Sequence, residues 1–439
     1  KDLVLQEISN STRIPKYRGR MMTKAQSKLS RRSFFAASAA AISIPYLVPG
    51  HVLGYEGGVA PSNKINLFHI GLGNRGNELL GGFLGNPNYH VLGVCDCYKD
   101  HLDRAANRVN QRYNNSDAQK FHYYEEVLQL DSVDAIVCAC PDHWHTKISV
   151  EACQNGKDVY CEKPLTLTLQ ESRLIVAAAR KYNRVCTSGS QRVMEDYGYM
   201  APIIQSGAIG DVKEVFIGLG NPPKHCYLPE QPIPEGFDWD RWQGQAPYAP
   251  YNSERCSGNY GGGWRNYTEY GNGFLADWGA HKFGGAMYIL GLDAEEPVEI
   301  LPRGYNGSDY VCAVFKNGVK MYHAWNGPHD VTFIGTEGEY RHQQKEKVNP
   351  LKAVDVRRYS GGATNIADDF AFCVRNRVRP FQDFLYGACT ASLCQLIAIG
   401  HKLNRPLKWD PEKCSFINDE EANRHVARVQ RYPYVIPAV

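Results

Sequence analysis

The sequence predicts an α/β protein with two domains: a doubly wound parallel sheet first, then an α+β domain with an open, mostly antiparallel or mixed sheet. Three observations predict this arrangement. Between residues 64 and 192, short apolar runs alternate with helical patterns, which is typical of a parallel sheet. From residue 193 to residue 439 the pattern changes to aromatic-rich loops, hairpin signals and two long helices. A chain of 439 residues is also long enough to bury two cores.

The composition argues against several classes of protein. With 43% hydrophobic and 22% charged residues, the chain is typical of a globular protein, and its net charge of +3 is too small to indicate a nucleic-acid partner. No apolar run reaches the roughly 18 residues that a membrane span needs. The fourteen cysteines include two C-x-C pairs inside strand-like runs, and this spacing lacks the gap of two to four residues that is usual in zinc sites. We therefore expect core thiols, and neither a disulfide framework nor a structural zinc.

The N-terminal residues 1–54 predict an export leader. A basic region is followed by Arg31 and Arg32 and then by a mild apolar run at 36–48, as in signals of the twin-arginine type. An ordinary amphipathic helix is the alternative. Because that route exports folded proteins, the expected location is the periplasm. Residues 55–63, rich in Gly, Pro and Ser, are expected to form a linker.

A glycine-rich turn opens the first domain. The strand-like run Ile65–Ile70 precedes Gly71, Gly73 and Gly76, which have G-x-G-x-x-G spacing and lead into a helical segment. In a dinucleotide-binding Rossmann domain these glycines allow a tight turn, approach of the backbone to a pyrophosphate, and close helix packing. Asp96 ends the next strand, where an acid holds the ribose 2′-hydroxyl, so NAD is favoured over NADP. A glycine-rich turn between two core elements is the alternative.

The remaining elements of the first domain, 64–192, follow from apolar periodicity. Polar groups close its last three strands, at 141–145, 162–163 and 190–192, and ligands of such sheets bind at the carboxyl ends of strands. The expected helices are 100–114, 125–130, 146–154 and 169–182, and the further strands are 90–94, 133–140, 158–161 and 185–188. The expected cofactor contacts are Gly71, Gly73, Asn74, Arg75, Gly76, Asp96, Pro141, His143, His145, Glu162, Lys163 and Gln191.

Lys163 is the first candidate for catalysis. A lysine beside a cofactor can have its pKa lowered by burial and by the positive nicotinamide, and can then exchange a proton with a substrate hydroxyl. A structural ion pair with Glu162 is the alternative. No spacing demands a metal at His143, His145, His225 or His281.

The second domain, 193–439, carries a further acid/base candidate. Asp277 and His281 are four residues apart, so one helical turn would bring both to the same cleft. The aromatic segment before them suits stacking on sugar rings, although most of its members are expected to be core or interface residues. The expected elements are strands 212–219, 310–315 and 319–325, with a turn at Asn317-Gly318, and helices 281–290, 366–375 and 386–403. The expected substrate contacts are Arg192, Trp264, Arg265, Tyr267, Asp277 and His281.

Four motifs together resemble the Gfo/Idh/MocA family of oxidoreductases: GLGNRG at 71–76, CEKPL at 161–165, GNGFLADWGAH at 271–281 and the tail at 407–423. The resemblance implies a Rossmann domain followed by an open mixed sheet that often forms dimers or tetramers. It also implies that Lys163 and His281 act at the reacting hydroxyl with Asp277 nearby. We also expect the C-terminal tail to pack back on the first domain. Gly284 departs from related exported members, which often have an aspartate there.

The resemblance implies hydride chemistry with NAD on a carbohydrate or glycoside. Some exported relatives are NAD-dependent glycosidases, which oxidise the sugar at C3, eliminate the C1 substituent, add water and return the hydride. We favour this reaction because NADH in the periplasm has no obvious soluble partner. The alternatives are a sugar or cyclitol dehydrogenase, sugar-to-sugar hydride transfer and, with less support, a non-catalytic homologue.

Overall fold

The computed structural model describes residues 63–257, 262–324, 330–344 and 346–439. The predicted export signal at 1–54 lies outside the described residues, and so does the predicted linker apart from Asn63. Trp325, the end of the predicted hairpin strand, lies outside them as well.

The first domain is built on a six-stranded parallel sheet with the order β3-β2-β1-β4-β5-β6, which confirms the predicted doubly wound sheet. Its central strands are apolar because helices cover both faces, and β4 is buried throughout. The strand order reverses between β1 and β4, where a ligand crevice is expected. The strands are β1 Ile65–Ile70, β2 Tyr89–Cys95, β3 Gln119–Phe121, β4 Ala135–Cys138, β5 Asp158–Cys161 and β6 Cys186–Ser188.

The helices of this domain begin and end at recognisable signals. In the fifth, the Thr168 side chain accepts a hydrogen bond from the Glu171 N–H, and Arg180 and Lys181 occupy the last turn, where positive charge is favoured. The fourth begins at Asp142 and not at residue 146, because Pro141 precedes it and an acidic residue fills its first turn. The helices are α1 Asn74–Gly85, α2 Lys99–Tyr113, α3 Tyr124–Leu128, α4 Asp142–Gln154 and α5 Leu169–Lys181.

The second domain contains an eight-stranded sheet with the order β12-β11-β7-β10-β9-β8-β13-β14, in which β7 and β10 are parallel. The predicted open mixed sheet is therefore confirmed. The predicted hairpin joins β9 and β10 as an antiparallel pair, and Gly318 has the positive φ of +87° that its turn requires. The strands are β7 Val212–Ile217, β8 Glu299–Leu301, β9 Val311–Val314, β10 Lys320–His323, β11 Val331–Gly335, β12 Glu339–Arg341, β13 Leu407–Asp410 and β14 Ser415–Phe416.

One helix of this domain, α10, is much longer than predicted. It begins at Gly273 and not at residue 281, although glycines are poor helix formers. Close packing explains two of these glycines: a Cβ on Gly279 would lie 2.7 Å from Cys394 Sγ, and one on Gly285 would lie 2.8 Å from the Tyr197 ring. The helices are α6 Arg192–Glu195, α7 Ala201–Gln205, α8 Trp239–Gln243, α9 Ser253–Cys256, α10 Gly273–Leu290, α11 Ile366–Asn376, α12 Phe384–Leu403 and α13 Glu420–Asn423.

Helix α12 is the central helix of the core. It packs against α10 and α5, so one apolar cluster extends from Leu67 on β1 through Phe283 to Leu396. Among the described residues it is also the one helix long and apolar enough to cross a membrane, and 78% of its most apolar stretch is buried inside the fold. Core helices commonly have this composition.

The C-terminal tail crosses back to the first domain. The Val426 carbonyl accepts a hydrogen bond from the Gln170 N–H at 3.0 Å, and Arg428 Nε lies 2.7 Å from Glu171 Oε1. Further along, the Tyr434 ring packs edge-on against Trp144 of α4. These contacts fasten the end of the chain to helices α4 and α5.

Candidate active site

A cleft of about 780 Å³ runs along the carboxyl ends of the parallel strands and is closed on its other side by the second domain. Residues that follow β1, β2, β4 and β5 form one wall. The loops between β7 and α10, together with α10 itself, form the opposite wall. The crevice between β1 and β4 is therefore part of this cleft, and both domains contribute side chains to it.

The glycine-rich turn has the geometry of a phosphate cradle. Gly71 has a φ of +87°, and a Cβ there would lie 2.8 Å from the Ala139 backbone. A Cβ on Gly76 would lie 2.0 Å from the Gly71 carbonyl oxygen, so glycine permits close packing of α1 on β1. A Cβ on Gly73 would meet no protein atom within 4 Å, although Gly73 lines the cleft. Protein packing thus explains Gly71 and Gly76, whereas Gly73 leaves space for a ligand at the amino end of α1.

Asp96 is fixed at the end of β2 as an acceptor facing the cleft. Its Oδ2 accepts a hydrogen bond from the Leu72 N–H at 2.7 Å, and its Oδ1 accepts one from the Tyr98 N–H at 2.8 Å. Each carboxylate oxygen keeps a further lone pair. The residues present therefore fit a dinucleotide, with its pyrophosphate at the glycine-rich turn and its ribose at Asp96.

The ion-pair partner of Lys163 comes from the other domain. Its Nζ donates hydrogen bonds to Asp277 Oδ1 at 2.8 Å and to the Asp277 carbonyl at 3.0 Å, while Glu162 Oε1 lies 2.9 Å from Arg75 Nε. The alternative of a Lys163–Glu162 ion pair is therefore not what forms. Arg265 Nε is 3.4 Å from the same Asp277 oxygen. The Asp277 carboxylate is thus the partner of two cations, and the three side chains of Lys163, Arg265 and Asp277 together carry a net positive charge.

His281 lies on the cleft one turn after Asp277 on α10. Its side chain is 3% exposed, and its Nδ1 is buried without a hydrogen-bond partner among the described residues. Burial is the main cause that lowers the pKa of His281 well below its ordinary value, and Lys163, Arg192 and Arg75 lower it further. The imidazole is therefore neutral near pH 7 and has a lone pair that can accept a proton.

The sequence-predicted residues divide into two groups. Four do not line the cleft: Gly76 packs under the glycine-rich turn, and Tyr267, His143 and His145 are buried behind the wall. The other predicted residues line it: Gly71, Gly73, Asn74, Arg75, Asp96, Pro141, Glu162, Lys163, Gln191, Arg192, Trp264, Arg265, Asp277 and His281.

The buried members of the first group have structural partners. His143 Nε2 lies 3.0 Å from the Trp242 carbonyl, and burial lowers the pKa of His143 to about 3. Both ring nitrogens of His145 face backbone carbonyls, at 2.8 and 2.9 Å. Tyr267 donates its hydroxyl to Glu254 Oε1 at 3.1 Å.

A buried cluster behind the cleft has the composition of a metal site. Ligand atoms of Cys138, His145 and Cys161 lie within 4.8 Å of one another. Because both nitrogens of His145 are directed at carbonyl oxygens, neither offers a lone pair to a metal in this arrangement. The parallel register of β4 and β5, which pairs Cys138 with Cys161, is sufficient to explain the proximity of the two thiols.

Sequence reasoning missed the segment 234–243, which we call the strap. Main-chain bonds join it to the first domain: the Gly236 carbonyl accepts from Lys99 N–H at 2.9 Å, and Asp238 N–H donates to the Cys97 carbonyl at 3.0 Å. Phe237 and Arg241 of the strap line the cleft. The aromatic composition marked this region as unusual, but no local signal reveals a contact across more than a hundred residues.

The buried state of His281 predicts a particular acid sensitivity. The pKa of His281 is lowered in the folded protein, whereas in the unfolded chain it is about 6.5. Between these two values the unfolded chain binds a proton at His281 that the folded chain does not. The free energy of unfolding therefore falls as the pH falls through this range, by up to about 1.4 kcal/mol per pH unit. We expect His281→Gln to lose less stability than the wild type between about pH 7 and pH 5. Melting temperatures measured across this range test it, and parallel curves would contradict it.

Two family models match this chain. Residues 65–190 match the model described as an oxidoreductase family NAD-binding Rossmann fold. Residues 223–436 match the model described as the C-terminal alpha/beta domain of the same oxidoreductase family. Both domains of the fold are therefore covered.

Individual proteins are similar to parts or all of this fold. A glycosyl hydrolase family 109 protein from Saccharopolyspora erythraea is 35% identical over 121 residues, which are 27% of this chain and 26% of that protein. An NAD-binding protein from Listeria innocua has a TM-score of 0.55 at 18% identity, covering 79% of this chain and 97% of its own. An aldose-aldose oxidoreductase from Caulobacter crescentus, complexed with glycerol, has a TM-score of 0.53 at 17% identity, covering 79% and 100%. These structural similarities establish the fold alone.

The agreement of both family models with the two observed domains and with the glycine-rich cradle settles the family. The chain belongs to the Gfo/Idh/MocA oxidoreductase family, and its first domain is the NAD-binding Rossmann fold of that family.

Proposed function

We propose that this protein is an NAD-dependent enzyme that moves a hydride at a carbohydrate ring carbon, C3, and that its net reaction is hydrolysis of a glycoside without net redox change. The observation that carries the second part is the strap, because it covers the cleft beside Asp96. A nucleotide enclosed in this way exchanges slowly, which suits a cofactor regenerated within each turnover.

The strap is attached at several points beside the expected ribose site. Besides its main-chain bonds, Phe237 packs on Tyr98 with ring centroids 5.1 Å apart, and His122 Nε2 lies 3.2 Å from Asp238 Oδ2. Arg241 forms an ion pair with Glu125 of α3. Release of the nucleotide through this end of the cleft would require these contacts to break together.

The relatives support a carbohydrate substrate. The chain is similar over 121 residues to a glycosyl hydrolase family 109 protein, and it has the fold of an aldose-aldose oxidoreductase. The predicted twin-arginine export supports a redox-neutral reaction, because it would remove the enzyme from soluble partners that reoxidise NADH.

The residues of the cleft suit the proton movements of this reaction. Bound NAD would supply the hydride acceptor and donor. We assign His281 as the group that accepts the hydroxyl proton, because its imidazole is buried and neutral. Lys163, held by Asp277 at 2.8 Å, then stabilises the negative charge that develops on the oxygen. The surplus positive charge of Lys163 and Arg265 over Asp277 would also stabilise the anion formed when the C2 proton leaves.

The proposal is tested on purified protein to which no cofactor has been added. Denaturation and enzymatic assay of the released nucleotide measure bound NAD, and fresh protein is then incubated with a panel of nitrophenyl glycosides. We expect bound NAD, release of nitrophenol and no accumulation of NADH. Protein that is empty, and that reduces added NAD stoichiometrically with a free sugar, would overturn hydrolysis in favour of a dehydrogenase. Bound NAD with oxidation of one sugar and reduction of another would overturn it in favour of sugar-to-sugar transfer.

Removing an aromatic contact of the strap should loosen the nucleotide. Phe237→Ala deletes the packing on Tyr98 and one wall of the cleft, so we expect NAD to dissociate at least about tenfold faster, corresponding to about 1.4 kcal/mol. Displacement of bound NAD by a fluorescent analogue measures the rate.

Tyr248 provides the matched control for this measurement. It follows the strap in the same aromatic segment, but its side chain is 76% exposed and does not line the cleft. Tyr248→Ala should therefore release NAD at the wild-type rate. Equal rates in Phe237→Ala and the wild type would show that the strap does not retain the nucleotide.

A further inference from the structure

A buried carboxyl that the proposed mechanism does not use lies directly behind the cleft wall. Asp142 is the first residue of α4 and follows Pro141, which lines the cleft. Its side chain is 2% exposed, and its Oδ1 is fully buried without a hydrogen-bond partner among the described residues. An ionised carboxylate in such a position loses its hydration without full compensation, whereas a protonated carboxyl is tolerated.

Charged groups from four elements act electrostatically on Asp142. They are His145 on α4 itself, Lys163 after β5, Arg265 on the turn Gly263–Asn266, and Asp277 on α10. Burial is the main cause that raises the pKa of Asp142, Asp277 adds to the rise, and His145, Arg265 and Lys163 oppose it; together they place the pKa at about 7. The amino end of α4 also favours an anion. These influences leave the carboxyl close to balance between its two protonation states near neutral pH.

The charge of the catalytic cluster therefore depends on Asp142. Among the four groups Lys163, Arg265, Asp277 and Asp142, protonation of Asp142 leaves two cations beside one carboxylate, a net charge of +1. With Asp142 ionised, the two cations face two carboxylates, and the cluster is neutral. Reduction of NAD⁺ to NADH removes one positive charge from the cleft, which makes a second carboxylate there less favourable.

We propose that Asp142 holds the substrate's proton within the active site while the hydride resides on the cofactor. When the C3 carbon is oxidised, its C–H bond breaks and the hydride moves to NAD⁺, while the hydroxyl O–H bond breaks and its proton enters the site through His281. The N–H bond formed on His281 then breaks as an O–H bond forms on Asp142, and all of these changes reverse when the ketone is reduced. This inference rests on the proposed function, because only a reaction that returns the hydride also needs to return the proton. Asp142 is thus a positioning residue that acts through His281 and the Lys163–Asp277 pair.

The first test needs no substrate. Protein stripped of nucleotide is loaded with NAD⁺ or with NADH, and the infrared difference spectrum of the two forms is recorded. We expect the carbonyl band of a protonated carboxyl to gain intensity in the NADH form of the wild type, and to show no change in Asp142→Asn. Absence of the band from the wild type, or its persistence in Asp142→Asn, would overturn the proposal. Because no turnover is involved, failure of the proposed net reaction would leave this result intact.

Asp158→Asn is the matched control. Asp158 is buried to a similar degree, at 3% exposed, but it lies at the amino end of β5 and is paired with Arg377 at 2.6 and 3.1 Å. Its carboxylate faces no part of the cleft, so this variant should retain the wild-type difference band. Loss of the band in Asp158→Asn as well would assign it to a general change of the fold and would overturn the assignment to Asp142.

A second measurement separates proton binding from a purely structural role. Because the folded pKa of Asp142 is raised, its stabilising contribution is present below the unfolded pKa and is lost as the pH rises through about 7. The amide introduced by Asp142→Asn cannot ionise, so the melting temperature of this variant should rise relative to the wild type between about pH 5 and pH 8. A difference that stays the same at every pH would overturn the proposal.

Discussion

Replacing Lys163 with methionine should lower kcat by about 10²–10⁴-fold while NAD remains bound. Methionine keeps the length and apolar stem of the side chain but removes the ammonium group that lies 2.8 Å from Asp277 Oδ1. In the proposed mechanism the reacting oxygen would then lose the positive charge of Lys163, whereas the glycine-rich turn and Asp96 are untouched. Turnover of an active substrate, measured beside the NAD content of the denatured protein, tests this prediction.

The same strand offers a matched control for this variant. Lys157 precedes β5 and Lys163 follows it, and Lys157 is buried, with its Nζ 2.7 Å from the Leu130 carbonyl. Lys157→Met therefore removes a buried ammonium group at the opposite end of the strand from the cleft. We expect a cost in thermal stability and turnover close to the wild type. Wild-type turnover by Lys163→Met would remove Lys163 from the mechanism.

Replacing Gly73 with valine should strongly weaken nucleotide binding without unfolding the protein. The backbone there has φ −63° and ψ −169°, which an L-residue adopts readily, and a Cβ would meet no protein atom within 4 Å. The side chain would instead occupy the space expected for the pyrophosphate. We expect the Kd for NAD to rise at least about 100-fold, or about 2.7 kcal/mol, while the nucleotide-free protein loses no more than about 1–2 kcal/mol of unfolding free energy, because Gly73 is the N-cap of α1 and valine is disfavoured there.

Two further glycine variants serve as controls for Gly73→Val, one for nucleotide binding and one for stability. Gly82 also has open space at its Cβ, but it is exposed on α1 away from the cleft, so Gly82→Ala should leave NAD binding unchanged and stabilise the helix by about 0.5–1 kcal/mol. Gly71→Ala should instead destabilise the fold, because its φ is positive and the Cβ would contact backbone atoms. Tight NAD binding by Gly73→Val would contradict the assignment of the cradle.

The elements predicted most accurately are those whose local sequence pattern is compatible with only one type of secondary structure. The strands Ile65–Ile70 and Asp158–Cys161 have the predicted bounds, because each is a short apolar run between turn signals. The edge strand Gln119–Phe121 was not predicted, since its polar, largely exposed residues carry no burial signal. The early start of α10 was also missed, because its glycines serve tertiary contacts that local helix propensity does not register.

In the candidate site, too, the features set by local sequence were predicted and those set by tertiary contacts were not. Sequence spacing identified Lys163, Asp277 and His281, and strand ends and helical periodicity bring all three to one cleft. It did not identify which carboxylate pairs with Lys163, since Asp277 is 114 residues away and the adjacent Glu162 was the obvious local alternative. His143 is predicted beside the cofactor because it follows the end of a strand; in the structure it lies on α4, which begins at Asp142, and its Nε2 is 3.0 Å from the Trp242 carbonyl.

Because the strap belongs to the second domain and covers the cleft of the first, nucleotide binding and the association of the two domains should be thermodynamically linked. One wall of the nucleotide cleft comes from residues after β1 and β2, and the cover comes from Phe237 and Arg241, which lie more than a hundred residues further along the chain. A ligand held by both domains binds their assembled state in preference to either domain apart. It therefore stabilises that assembly by about 2.7 kcal/mol at a free concentration of 100 times its Kd. NAD would in this way act as a structural component of the protein as well as a reactant.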